Sequence, residues 1–110
     1  MVKFDTEKKG FETVFKPYQW EAIKLVYEVK RGIGSGKLHQ AINEKGINIS
    51  RASIIFFADD MFEEGVFTFF LKTGKGGHAK IYTPAFDTLA EVIDHLKKKL
   101  IDGIEAELKL

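Results

Sequence analysis

Glycines divide residues 35–82 into pieces with room for two short helices and one hairpin, and little else. A helix can begin at Ser35 and carry Leu38, Ala41 and Ile42 on one face until Gly46 stops it. After the apolar step Ile47-Asn48-Ile49, Ser50 offers a side-chain oxygen to cap a second helix, which Gly65 ends. Ile54, Ala58, Met61 and Phe62 form one stripe of that helix, expected to pack on Leu38, Ile42 and Trp20. Beyond Gly65 the period becomes two. Phe67, Phe69 and Leu71 point one way, Thr68 and Phe70 the other. Strands over residues 66–71 and 78–82 then flank the tip Thr73-Gly74-Lys75-Gly76-Gly77, where glycine permits positive φ. Pro84 closes the sheet, and residues 47–49 are expected to add a third short strand.

This order predicts an α+β fold: a winged helix-turn-helix with a three-helix core and a β-hairpin wing. The remaining core helix starts at Pro17, where the missing N–H costs nothing, and runs through Trp20, Ile23, Val26 and Tyr27 to Arg31-Gly32. Residues 1–15 read as an N-terminal arm, 16–84 as the winged-helix domain and 85–110 as a C-terminal helix. That last helix opens on Thr88-Leu89-Ala90-Glu91, the pattern of a capping box. Its apolar stripe includes Leu89, Val92, Ile93, Leu96, Leu100 and Ile104. A rod of about 30 Å exceeds what one small domain can cover. Phe86, Leu89, Ile93, Leu96, Leu100 and Ile104 are therefore expected to pair partly with a second copy.

Composition narrows the chemistry. The absence of cysteine excludes disulfides, thiolate metal sites and cysteine nucleophiles. No apolar run approaches a membrane span, and Met1-Val2-Lys3-Phe4-Asp5 is not a signal peptide, so a cytoplasmic protein is expected. A net charge of +1 does not by itself announce a polyanion partner. The distribution does. Residues 72–80 hold Lys72, Lys75 and Lys80 and no acid, whereas residues 59–64 hold Asp59, Asp60, Glu63 and Glu64 and no base.

A double-stranded DNA partner would meet the start of the second motif helix and the hairpin. There Lys37, Ser50, Arg51, Ser53, Ile55 and Phe56 are the candidates on the helices. Lys72, Lys75, Gly76, Gly77, His78 and Lys80 are those on the wing. Arg51 can read guanine or hold a phosphate, and Ile55 or Phe56 can touch a thymine methyl. Phe57 reads as core, whereas Phe56 stays open between core and outward contact. The string Gly32-Ile33-Gly34-Ser35-Gly36-Lys37-Leu38 fails as a nucleotide loop. Arg31 stands where the first glycine belongs, and Leu38 where the hydroxyl belongs. It reads as a connection ending in a Ser35 cap. His39, His78 and His95 fall in separate elements and read as surface residues, not metal ligands. Asp59 and Asp60 diverge by about 100° on a helix. No cofactor is expected, and no nucleophile–base set points to an enzyme.

Three runs together resemble a known group. They are Ile49-Ser50-Arg51-Ala52-Ser53-Ile54, Met61-Phe62-Glu63-Glu64-Gly65-Val66, and Gly74-Lys75-Gly76-Gly77-His78 with Ile81-Tyr82. The sequence is similar here to winged-helix repressors, in particular to archaeal members of the penicillinase-repressor and copper-repressor group. Ser50, Ser53, Ile54, Ala58, Met61 and Gly65 match that pattern in order, and the likeness covers residues 16–84. It implies a homodimeric repressor on a pseudo-palindromic operator, with the C-terminal helix as dimerisation element. The chain departs from the group in having one C-terminal helix and no cysteines, so neither protease-triggered nor thiol-based copper induction carries over. No effector is assigned. An alternative of a different class is a winged helix that binds protein instead of DNA, with Phe56, Phe57 and Asp59-Asp60 as its face.

Overall fold

The computed structural model describes residues 15–74 and 77–108. Of the N-terminal arm only Phe15 lies within them, and Lys75 and Gly76 at the hairpin tip lie outside.

α1 (Pro17–Val29) begins with its proline in the first turn, and the Gln19 side chain accepts the Lys16 N–H at 2.9 Å. It buries Ala22, Ile23, Val26 and Tyr27, while Trp20 is half-buried. The chain reverses through Lys30 (φ 59°) and Gly32 (φ 121°) into the two-residue strand β1 (Ile33–Gly34). α2 (Ser35–Glu44) follows, with Gly34 and not Ser35 in the N-cap position. Ser35 is thus the first helical residue, and its hydroxyl accepts a hydrogen bond from Arg51 at 3.3 Å. α3 (Arg51–Glu63) is capped as expected, Ser50 Oγ accepting the Ser53 N–H at 3.1 Å. Its core stripe is Ile54, Phe57, Ala58 and Met61. Phe62 leaves that stripe: it is exposed and meets Phe69 edge-on at 4.8 Å.

β2 (Phe67–Gly74) and β3 (Gly77–Pro84) form a longer hairpin than the alternation predicted, with Gly74 opposite Gly77. The sheet is antiparallel in the order β1-β3-β2. Its third strand is therefore residues 33–34, not 47–49. Side chains explain the difference. The Ile49 N–H goes to Asn43 Oδ1 at 3.3 Å, and the Ile49 carbonyl faces His39 Nε2 at 2.8 Å. With its polar backbone satisfied there, Ile49 has no need of a ladder. His39 and His95 are consequently half-buried struts, not the surface residues expected, His95 Nε2 lying 2.6 Å from the Glu64 carbonyl.

The core gathers Phe15, Ile23, Val26, Leu38, Ile42, Ile54, Phe57, Val66, Phe67 and Tyr82. One carbonyl ties three elements of it together. Val66 O accepts the Tyr27 hydroxyl at 2.6 Å and the Ala85 N–H at 3.2 Å, fastening α1 to both ends of the hairpin.

α4 (Leu89–Leu108) starts on Thr88, whose Oγ1 accepts the Glu91 N–H at 3.3 Å. That bond is half of the reciprocal box expected; the Glu91 carboxylate accepts from the Thr88 hydroxyl and not from its backbone N–H. Only Val92 is fully buried, and Leu89, Leu96 and Phe86 pack at the edge of the core. Lys99 reaches Glu64 at 3.1 Å. From residue 97 to 108 every residue is exposed, Ile104 at 52% and Leu108 at 79%. The helix therefore projects from the domain, and the molecule with it measures 52 Å along its longest axis.

Gly32 is where this fold is least tolerant. A Cβ there would stand 2.5 Å from Ile81 Cγ2, on a backbone that side chains rarely adopt. Gly32→Ala should lower stability by about 2–3 kcal/mol. Gly46 (φ 87°) has open space around it, so Gly46→Ala should cost about 1 kcal/mol. Urea unfolding checks both, and equal losses would contradict the close approach at Gly32.

Candidate nucleic-acid interface

The bend at Gly32 brings distant cations to one place. β1 pairs with β3 through Ile33 with Tyr82 and Gly34 with Ile81, which sets the first turn of α2 beside the wing. A cleft of about 620 Å³ opens between them. Arg31, Lys37, Arg51, Lys72 and Lys80 line it, with Ser35, Gly36, Phe70 and Ile81. No acid is among its lining residues. The Arg51 guanidinium lies over Gly36, where a Cβ would stand 3.6 Å from Nη2. No side chain caps the α2 N-terminus, so its first N–H groups and the positive end of the helix dipole add to the field. The cleft is thus a groove of positive potential with an apolar wall of Phe70, Ile81 and Ala79.

Four of the sequence-predicted residues meet here: Lys37, Arg51, Lys72 and Lys80. Lys80 is partly engaged, 3.2 Å from Asp59 and over the Phe69 ring at 4.9 Å. Ser50 and Ser53 stand at the start of α3, their hydroxyls 2.9 Å apart. Ile55 is half-buried, and neither it nor Phe56 lines the cleft. Phe56 is 70% exposed, which resolves the open choice toward an outward position, and Phe57 is core as expected. The remaining free face of α3 carries Ala52, Phe56, Asp60 and Glu63, all exposed and without a base. Gly77 and His78 are exposed on the wing; Lys75 and Gly76 lie outside the described residues. Of the residues expected to pair with a second copy, Ile93, Leu100 and Ile104 are exposed, while Phe86, Leu89 and Leu96 are half-buried against their own domain.

Arg31 is the cleft residue that sequence reasoning missed. Its place in the sequence marks it as a helix end and as the residue that breaks the nucleotide-loop pattern. Its signal is position alone, directly before the Gly32 turn that leads into α2 (Ser35–Glu44).

The acid nearest the cleft is held in check. Asp59 Oδ1 accepts the Tyr82 hydroxyl at 2.9 Å as well as Lys80. This ties α3 to the wing and pairs the carboxylate with one of the cleft's own cations. Burial, and then the hydrogen bond to Asp59, hold the Tyr82 phenol well above the usual tyrosine range. Burial raises Tyr27 as well.

The described fold is a winged helix-turn-helix, and solved structures of transcriptional regulators share it. A PadR-family transcriptional regulator of Eggerthella lenta superposes with a TM-score of 0.55 at 16% identity, over 79% of this chain and 80% of that one. A candidate transcriptional regulator of Methanosarcina mazei gives 0.62 at 14% identity, over 86% of this chain and 78% of that one. A candidate transcriptional regulator of Thermoplasma acidophilum gives 0.53 at 21% identity, over 82% and 92%. At these identities the likeness is one of fold. No protein-family model and no curated protein matches the sequence. Among the described residues no helix is long and apolar enough to cross a membrane.

The raised Tyr82 pKa carries a sign. Below the ordinary tyrosine value of 10.0 the phenol is neutral in both folded and unfolded chains, and its contribution is intact. As pH rises past that value the unfolded chain ionises first, so stability falls. The urea midpoint should decline as pH rises above about 10, and Tyr82→Phe should flatten that decline. An unchanged slope in Tyr82→Phe would contradict the assignment.

Proposed function

We propose that the protein is a sequence-specific, double-stranded-DNA-binding transcriptional regulator, a homodimeric repressor on a pseudo-palindromic operator. The single observation that carries this reading is the cleft: five cations from four segments converge beside the α3 N-terminus, and among the described residues only Lys80 has an acidic partner, Asp59. In the proposal Arg51 enters the major groove with the first turn of α3. Arg31, Lys37, Lys72 and Lys80 hold phosphates, and the wing with Lys75, Gly76, Gly77 and His78 follows the flanking backbone. Ser50 and Ser53 stand near a phosphate, and Ile55 and Phe56 are left for contact with thymine methyls. The acids Asp60 and Glu63 keep the later turns of α3 out of the groove. The narrower likeness to the penicillinase-repressor and copper-repressor group rests on the sequence runs around Ser50, Gly65 and Gly76, and the proposal keeps it as the source of the repressor role. The inducing ligand stays unassigned, and no catalytic or cofactor role is part of the proposal. A cytoplasmic location goes with it.

One observation favours a second reading. Phe56 is 70% exposed and of the aromatic type enriched at protein interfaces, with Asp60 exposed on the same face; Phe57 is buried and Asp59 engaged, so neither belongs to that face. In that reading the winged helix binds a protein through α3 and does not select DNA sequence.

Fluorescence anisotropy on the protein's own upstream DNA and on scrambled DNA, across a salt series, separates the two. The regulator reading expects at least about a hundredfold preference at physiological salt. Arg51→Ala should weaken specific binding more than non-specific binding. Arg31→Ala and Lys37→Ala should weaken both alike, each lowering the log–log salt slope by roughly 1. Equal loss on both DNAs for Arg51→Ala would remove its readout role, and absence of binding at low salt would favour the protein-binding reading.

The dimer has its own test. Ile104 is exposed in the single chain, so Ile104→Asp should keep the native circular-dichroism spectrum while sedimentation velocity shifts from dimer to monomer. A monomeric unmutated chain at micromolar concentration would refute the role given to α4.

A further inference from the structure

α4 has two apolar sides, and its own domain covers one. Val92, Leu89 and Leu96 pack on the core, and the adjacent His95 and Lys99 are tied to Glu64. At about 100° per residue, Ile93, Leu100, Ile101, Ile104 and Leu108 fall on the adjoining side. All five are exposed. Lys97 lies within this second stripe, and Glu105 runs along its edge.

Charge says how a second copy can cover it. Along the helix, acids at 91 and 94 are followed by Lys97, Lys98 and Lys99, then by acids at 102, 105 and 107. In a parallel pair Lys97 would face its own counterpart inside the seam, with no acid at its level. An antiparallel pair turning about residues 100 and 101 lays the basic block over the partner's acidic end instead. It also opposes the two helix dipoles, and it is the self-complementary arrangement of a two-fold dimer. The domains then stand at opposite ends of the pair, clear of one another, because each is docked on the first turns of its own α4.

We propose that α4 pairs with α4 of a second copy in the antiparallel sense. Leu100 lies beside the partner's Ile101 and Ile93 beside the partner's Leu108, and Lys97 and Lys98 reach the partner's Glu105. This rests on the homodimer proposed above and adds its orientation and register.

The chain has no cysteine, so single cysteines report contacts without interference. Ile93→Cys and Leu108→Cys are prepared separately, mixed to equilibrium and treated with a short bismaleimide, with sedimentation velocity on the unmutated protein alongside. A cross-linked pair in the mixture, and none in either variant alone, is the expected result. Cross-linking of Leu108→Cys with itself would overturn the orientation while leaving the dimer standing. A monomer in sedimentation would overturn the dimer, and the pairing with it. Glu105→Lys should weaken association at least tenfold at low salt, and Lys97→Glu with Lys98→Glu in the same chain should restore it. An unaltered dissociation constant in Glu105→Lys would overturn the ion-pair register.

Discussion

The positive φ of Gly32 and the two residues after it determine where the charges of this protein meet. A strand of two residues contributes little burial of its own. Its importance is geometric: once Ile33 and Gly34 are paired to Tyr82 and Ile81, the α2 N-terminus has no freedom to leave the wing. Arg31 lies just before the bend and Lys37 just after it, so both inherit that position. The close contact between Gly32 and Ile81 also makes the arrangement intolerant of any side chain there. A chain of net charge +1 thereby acquires a strongly positive groove without becoming basic overall.

Around that constraint the molecule separates its signs of charge. Asp59 takes one cation of the groove, Lys80, and the Tyr82 hydroxyl, and leaves Arg31, Lys37, Arg51 and Lys72 to set its sign. Glu64 is turned toward α4, where Lys99 meets it. Asp60 and Glu63 remain on the far side of α3 with Phe56. The same helix therefore offers a basic first turn and an acidic, apolar remainder. The two functional readings diverge at this point, since DNA would use the former and a protein partner the latter.

Much of the fold was legible in residue order. Pro17, Ser50, Gly46 and Gly65 mark the helix ends through backbone chemistry that tertiary contacts did not override. The core stripe of α3 was legible except for Phe62, which period alone could not assign because Phe69 offers an aromatic partner at the surface. The third strand was misplaced because β-propensity favoured Ile47 and Ile49. The side chains of Asn43 and His39 instead satisfy Ile49 locally, and no pattern in the segment itself could reveal that. Of the candidate site, Lys37, Arg51, Lys72 and Lys80 were legible as charges. Their convergence depended on a pairing between residues about fifty apart, and Arg31 became visible only through it.

In the proposed regulator the groove between α2, α3 and the wing faces DNA. Amide chemical-shift mapping on the full chain, titrated with a duplex at moderate salt, tests it most directly. Shifts should concentrate at residues 31–37, at Arg51 and along the wing strands, with Asp60 and Glu63 little changed. Shifts confined to the Phe56 face of α3, or none at all with the duplex in excess, would contradict it.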